Sequence, residues 1–352
     1  MSSVNLTARE RAVLMHAIQA YLATGEPVAS RAVLSGSELG ISAATVRSVM
    51  ATLEARGLLM QPHTSAGRVP TVSGIQLYVA ALVWREPVDK GTERMMRESF
   101  EGQTGVDGLL LTASRVLSGL SSMAGLASSP KADGLRLEHI KLMGLSEGRL
   151  LAVVVAQGAR VSHQIVEVGR VIPPSDLERM NNFLNQTVVG LTLGQARARL
   201  REDVRGHEIE ADEVLRAAAA VARSALHSED PVEVVVEGEL NLLRLEAFGD
   251  LERATQALQA LREKRLLLDI LSRVEDTPGA HVLVDGLSEE GELGAGEALG
   301  CSLIVAPYGG ESGRLGWVGV VGPVRMHYGA LIPLVECAAS AVSRRLREAM
   351  VA

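Results

Sequence analysis

Residues 40–68 read GISAATVRSVMATLEARGLLMQPHTSAGR, and the N-terminal fold is decided by them. Val46, Val49, Met50 and Leu53 fall at i, i+3, i+4 and i+7, one apolar stripe at the helical period. Ser42 precedes the stripe as an N-cap whose hydroxyl satisfies an orphan backbone N–H of the first turn. Gly57 stands where the helix must end in a left-handed residue. The opposite face carries Ala44, Arg47, Ser48 and Ala51, with Thr45 at its border. A face built only for water is usually filled with Lys, Glu and Gln. Short side chains and one arginine instead permit close approach to a DNA major groove, where Arg forks onto guanine. An Ala-rich solvated helix is the alternative for the same face.

Working outward, Leu58–Gln61 and Arg68–Pro70 read as two short strands around a Gly-containing loop, a hairpin directly after the helix. Its tip, His63, Thr64 and Ser65, is small and polar. Arg68 either reaches phosphate or pairs with the helix behind it. Upstream, Thr7 and Glu10 form a capping box that starts a helix over residues 8–24, closed by Gly25 and Pro27. Its inward residues are expected to be Leu14, Ile18, Tyr21 and Leu22. A short helix over 30–37 and a turn then lead into residues 43–56. Helix, short helix, tight turn and capped third helix is the helix-turn-helix order, and the hairpin makes it winged. Thr71 caps a fourth helix with Ile75, Tyr78, Val79 and Leu82 inward, and WREPVDKG, from Trp84, reads as a linker.

The chain has 352 residues, 47% hydrophobic and 22% charged, which is globular and long enough for two or three domains. Its net charge of −7 is unevenly spread. Residues 1–85 hold seven Arg, no Lys and four Glu, a balance of +3 on an otherwise acidic body. That fits a DNA-binding head on a body kept off the phosphates. The polar start MSSVNLTARER has no apolar export segment, and no apolar run approaches membrane-spanning length. Cys301 and Cys337 have no metal or redox spacing and read as reduced thiols of a cytoplasmic protein.

Three stretches, GEPVASRAVL from Gly25, ISAATVRSVMATLEARGLLMQPHTSAGRVPT from Ile41 and GWVGVVGPVRMHY from Gly316, resemble the HrcA heat-inducible transcription repressors. PHTSAGRVPT is the specific part, since the helix-turn-helix is shared by many regulators. The resemblance runs over nearly the whole chain and is weakest in the middle. It implies an α+β multidomain protein: an N-terminal winged helix-turn-helix and a GAF-like domain interrupted by an inserted, mainly helical dimerising domain. It further implies a homodimer that represses chaperone operons of the groE/dnaK type through an inverted-repeat operator, kept competent by the GroE chaperonin. The expected units are 1–85 for the winged helix, 86–105 for a linker, 106–170 with 246–352 for the GAF-like domain, and 171–245 for the insert.

The body's own pattern gives a helix over 106–126, then an antiparallel meander at about Leu135–Met143, Arg149–Ala156 and Ala159–Val168. Helical periods follow from Ser175 to Leu226; the Ala-rich stretch from Val214 serves either core packing or a dimer seam. Strands at 232–236, 281–284, 302–306 and 315–321 come next, with a long helix over 251–273 and a terminal one over 330–347.

Enzyme signatures are missing from the sequence: it has no GxxxxGK[ST], GxGxxG opening a helix or HExxH, and GLSEG at residues 144–148, a connector between two strands of the meander, makes no strand-to-helix GxSxG elbow. No catalytic residue, cofactor or metal site is expected. The residues expected at DNA are Arg47 for a base edge, Thr45 and Ser48 for base or phosphate, Ala44 for close approach, and Ser42, His63, Thr64, Ser65 and Arg68 for positioning. The alternative function is a winged-helix regulator whose GAF-like domain senses a metabolite. Arg325, Met326, His327 and Tyr328 read either as a small-molecule pocket or as the anchor between a strand and the last helix.

Overall fold

The computed structural model describes residues 6–35, 40–63, 66–81, 83–103, 105–129, 134–156, 160–203, 212–226, 233–244, 251–275, 277–285, 301–310 and 313–351. Four helices open the chain: α1 (Ala8–Thr24), α2 (Ser30–Ser35), α3 (Ala43–Ala55) and α4 (Val72–Ala81). Between α3 and α4 runs an antiparallel hairpin of β1 (Leu59–Met60) and β2 (Val69–Pro70). Val28 joins it through a reciprocal pair of backbone bonds with Arg68 at 2.8 and 3.0 Å. Gly67 permits this approach, because a Cβ there would lie 2.5 Å from the Val28 carbonyl. The core of this part is Val13, Leu14, Ala17 and Ile18 from α1, Val33 from α2, Val46, Met50 and Leu53 from α3, and Ile75 and Tyr78 from α4. Tyr21, Leu22, Val49 and Val79 are only half-buried, and Leu82 lies outside the described residues.

Residues 86–105, expected as a linker, carry a further helix, α5 (Lys90–Ser99), capped by Asp89. Met96 and Phe100 are buried against the body, which is why the segment folds despite its polar composition.

The body is two sheets. The larger has the order β7-β3-β10-β9-β8, formed by β3 (Ala124–Ser128), β7 (Val234–Glu237), β8 (His281–Leu283), β9 (Cys301–Gly310) and β10 (Gly313–Pro323), with every pair antiparallel. Alternation along β9 and β10 sends Ile304, Ala306, Val318 and Val320 to one core and Leu303, Val305, Trp317 and Val321 to the other. The first core is covered by α6 (Val106–Ser121) and the terminal helix, here α12 (Tyr328–Val351). The second is covered by α10 (Leu251–Arg262) and α11 (Lys264–Arg273).

Three expectations change here. The helix expected over 106–126 stops at Ser121, because Ser122 turns left-handed (φ 56°), and residues 124–128 become a central strand. The helix expected over 251–273 breaks at Glu263, where ψ swings to 79°. The strand ending at Glu237, expected in the insert, instead pairs with β3.

The smaller sheet is the expected meander: β4 (Leu137–Gly144), β5 (Arg149–Ala156) and β6 (Arg160–Glu167). The QG connector at 157–158 lies outside the described residues. This sheet was expected with the GAF-like part but packs instead on α7 (Pro174–Val188) and α9 (Glu213–Leu226), with α8 (Leu193–Asp203) beside them. Ala218, Ala219 and Ala222 of α9 are wholly buried against the helices and strands of this unit, so core packing is their role. Asn181 and Asn185, one turn apart on α7, accept from and donate to the backbone of Leu142 and Ile140, closing the free edge of β4. The unit leaves and re-enters the larger sheet at one point: Ser129 N donates to Glu233 O at 2.6 Å, and Glu233 N donates to Ser129 Oγ at 2.8 Å. It is therefore a module of about residues 134–226 set between two adjacent strands.

The N-terminal part meets the body at the start of α12. Pro333 inside this helix has no N–H, which leaves the Gly329 carbonyl one turn back without its helical donor. Glu86 N fills that place at 2.9 Å, while Arg85 pairs with Glu336 at 3.0 Å.

Candidate nucleic-acid interface

α3 starts as its sequence dictates. Ser42 Oγ accepts from Thr45 N at 3.2 Å and lies 3.0 Å from Thr45 Oγ1, so both hydroxyls sit at the positive end of the helix dipole. It ends in a left-handed Gly57 (φ 73°), with Leu58 N donating to Leu53 O at 3.0 Å and Gly57 N to Glu54 O at 2.8 Å. Thr71 Oγ1 donates to Gly57 O at 2.6 Å and accepts from Gly74 N at 3.0 Å, so one side chain joins the end of α3 to the start of α4. The helix is held at both ends, and its stripe of Val46, Met50 and Leu53 is locked in the core.

What remains outside is the face singled out from the sequence. Ala44, Arg47, Ser48, Ala51 and Thr52 are exposed, and Thr45 is half-buried. Arg47 has no hydrogen-bond or ion-pair partner among the described residues. Two other arginines of this part are engaged: Arg56 with Glu10 at 3.2 Å, and Arg68 Nε with Glu54 Oε2 at 2.8 Å. Of the two readings left open for Arg68, the structure thus realises the pairing with α3, the side chain being 16% exposed. It ties the hairpin to the helix, and any contact with phosphate would use the remaining N–H groups of its fork.

His63 is exposed at the hairpin tip, where Gln61 Nε2 donates to Ala66 O at 3.0 Å and narrows the loop. Thr64 and Ser65 lie outside the described residues. Sequence reading passed over Arg31, exposed on α2 beside α3. Its only signal was a cation on the helix that precedes a candidate groove-facing helix.

Glu10 completes the frame. The Thr7 backbone and hydroxyl both donate to its carboxylate, at 2.7 and 2.8 Å, and with Arg56 behind them they hold its pKa below the usual glutamate value. The expected capping box is present.

Elsewhere, the four residues Arg325 to Tyr328 divide between two tasks. Tyr328 is buried, its hydroxyl donating to Val324 O at 2.8 Å and lying 3.1 Å from Ser302 Oγ, and it anchors α12 to the sheet. Arg325 and His327 face the joint instead: Arg325 packs on Gly25 at the end of α1, and His327 Nε2 lies 3.4 Å from Glu86. Burial pushes the Cys301 thiol up to about 12, so it stays protonated. Among the described residues no group of His, Cys, Asp and Glu has metal-binding geometry, and no helix is long and apolar enough to cross a membrane.

Comparison with known proteins bears on the whole chain. The family model for the HrcA protein C-terminal domain matches residues 107–332. The heat-inducible transcription repressor HrcA of Xanthomonas axonopodis pv. citri is 34% identical over 342 residues, 97% of this chain and 96% of that one. The HrcA repressor of Geobacter sulfurreducens is 34% identical over 343 residues, 97% and 98% of the two chains. In fold, the chain is similar to a crystal structure of a hypothetical protein, with a TM-score of 0.56 at 21% identity over 98% of this chain and all of the other. With a family model over most of its body and relatives a third identical from end to end, the chain belongs to the HrcA family of heat-inducible transcription repressors and is a regulator rather than an enzyme.

Proposed function

We propose that residues 1–85 are a winged helix-turn-helix in which α3 is the recognition helix, and that two copies of the chain bind an inverted-repeat operator upstream of chaperone operons of the groE/dnaK type. Repression requires DNA binding, and the observation that carries the assignment is Arg47: an exposed guanidinium without a partner among the described residues, on a ridge of Ala44, Ser48 and Ala51. In this reading Arg47 meets a base edge and Thr45 and Ser48 meet base or phosphate. Ser42 and the helix N-terminus, with His63, Thr64, Ser65, Arg68 and also Arg31, set the register on the backbone.

The second copy is supported by the smaller sheet. Its inner face is filled by α7 and α9, yet its outer face is also apolar. The rows Met143–Leu151–Ile165 and His139–Val155–Val161 flank Lys141–Val153–His163, and Ile165 and Val161 are 54% and 59% exposed. An apolar sheet face of this extent is rarely left to water, and a second copy supplies a matching one. In this reading the dimerising unit is the whole module of residues 134–226 and the larger sheet with its helices is the GAF-like domain.

GroE maintains the active form in the same reading. The folded dimer fraction falls on heating and recovers with chaperonin supply. An operator shift titration with a chaperone-promoter inverted repeat tests the core proposal: binding well above that to a scrambled duplex is expected, and equal binding refutes it. Refolding with and without GroE and nucleotide tests the last part, since equal recovery of operator binding rejects it.

A further inference from the structure

A cavity of about 330 Å³ lies between α11 and the ends of β3 and β10, away from every residue placed at DNA or at the second copy. Leu268 and Leu271 form one wall, Leu315 and Trp317 the other. Its size is at the lower end for small-molecule sites, and its lining is mainly apolar with a few polar groups, as such sites are.

The strand beneath it departs from regular geometry. In β10, Arg314 pairs with Gly309 and Gly316 with Tyr308, so Leu315 is an extra residue bulged out of the ladder. Regular alternation would put Arg314 and Trp317, three positions apart, on opposite faces. The bulge brings them together, and the Arg314 guanidinium lies 4.4 Å over the Trp317 ring. A guanidinium carries its N–H donors around its edge, in its own plane. Two hydroxyls add to that polarity. Ser128 Oγ accepts from Trp317 N at 2.9 Å and Ser129 Oγ accepts from Glu233 N, which leaves each hydroxyl its O–H to donate beside one further lone pair. The polar end of the cavity thus holds donors, against apolar walls. Asp269 stands exposed at the rim, the one acidic side chain among the described residues that line the site.

The geometry points to a binding site for a small apolar monocarboxylate, its carboxylate on Arg314 and the two serines, its hydrocarbon between Leu268, Leu271 and Trp317. The chain contains two tryptophans, so in a Trp84→Phe variant of the full-length protein Trp317 is the only indole and reports directly on the site. Phenylacetate and 4-methylpentanoate are the probes, with phenylacetamide and phenethylamine as neutral and cationic counterparts. At least one acid is expected to change Trp317 emission saturably and to raise the melting temperature. Its affinity should fall about tenfold in Arg314→Gln, the equivalent of one charge-assisted hydrogen bond, and rise in Asp269→Asn. Leu271→Phe, which fills the cavity and leaves the charges, should abolish the response. No saturable change with either acid overturns the proposal, as does binding of the amide or amine as tightly as the acid, a comparison on the Trp84→Phe chain that needs no further variant to fold. The readout involves no DNA, so it stands or falls apart from the operator.

Discussion

One face of α3 and the open face of β4, β5 and β6 are both left uncovered by the described residues, and they offer opposite chemistry. α3 shows a narrow ridge of Ala44, Ser48 and Ala51 with Arg47, a charge that has no partner among the described residues. The sheet shows branched and long apolar side chains, Leu151, Val153, Val155, Val161 and Ile165. The first gains from meeting polyanion and base edges, where close approach and a forked donor matter. The second gains only by leaving water. If α3 reads DNA and the sheet joins two copies, as proposed, one acidic chain serves as a DNA-binding protein because recognition is confined to a small basic head and the acidic body contributes association rather than contact.

The largest expected effect comes from the sheet. Val153→Asp puts a charge in the middle of the apolar face and leaves the inner core of Leu150, Ala152 and Val154 untouched. Sedimentation should show monomers with retained secondary structure, and operator affinity should fall about a hundredfold or more as bivalent binding is lost. A dimer that survives the change breaks the comparison. Next is Arg47→Ala, expected to cost ~1–3 kcal/mol in operator binding and to relax preference at one base pair. Unchanged affinity and specificity in a shift titration would remove Arg47 from the base edge.

Arg68→Ala sharpens the boundary between reading and bracing. If the fork of Arg68 also neutralises a phosphate, all sequences weaken together and the salt slope drops by about one unit. If Arg68 only ties the hairpin to Glu54, curves at several salt concentrations keep the parent slope. The smallest effect concerns the scaffold of the head. The carboxylate of Glu10 is held below the usual glutamate pKa by Thr7 and Arg56. Its ionised form therefore stabilises the folded state above the unfolded pKa near 4.5, and that contribution is lost as pH falls below it. Glu10→Gln should flatten this acid limb of the melting-temperature profile; an identical limb in both proteins excludes the capping box as its source.

The head was the more legible region in the sequence, for a physical reason. Capping at Thr7, Ser42 and Thr71, the left-handed stops at Gly25 and Gly57, and the stripe of Val46, Met50 and Leu53 are all local devices. They act over a few residues, so residue type and spacing specify them. Exposure of Arg47 and Ser48 followed from the same period. The partner of Arg68 was not fixed in this way, since Glu54 is reached only once the hairpin folds back on α3.

The body shows the converse. Most of its strands were readable one by one, yet which sheet each joins was not. β5 and β6 carry the period-two pattern wherever they sit. Only the Ser129–Glu233 closure and the pairing of Val234–Glu237 with β3 make residues 134–226 a separate unit. The bulge at Leu315 that sets Arg314 over Trp317 is likewise a matter of register between strands. The sequence by itself determined the helix ends, the apolar stripe and the ridge it leaves exposed, because those energies are settled between near neighbours. Tertiary structure alone decided sheet membership, the bracing of Arg68 and the cavity under α11, because each depends on contacts between residues that are distant along the chain.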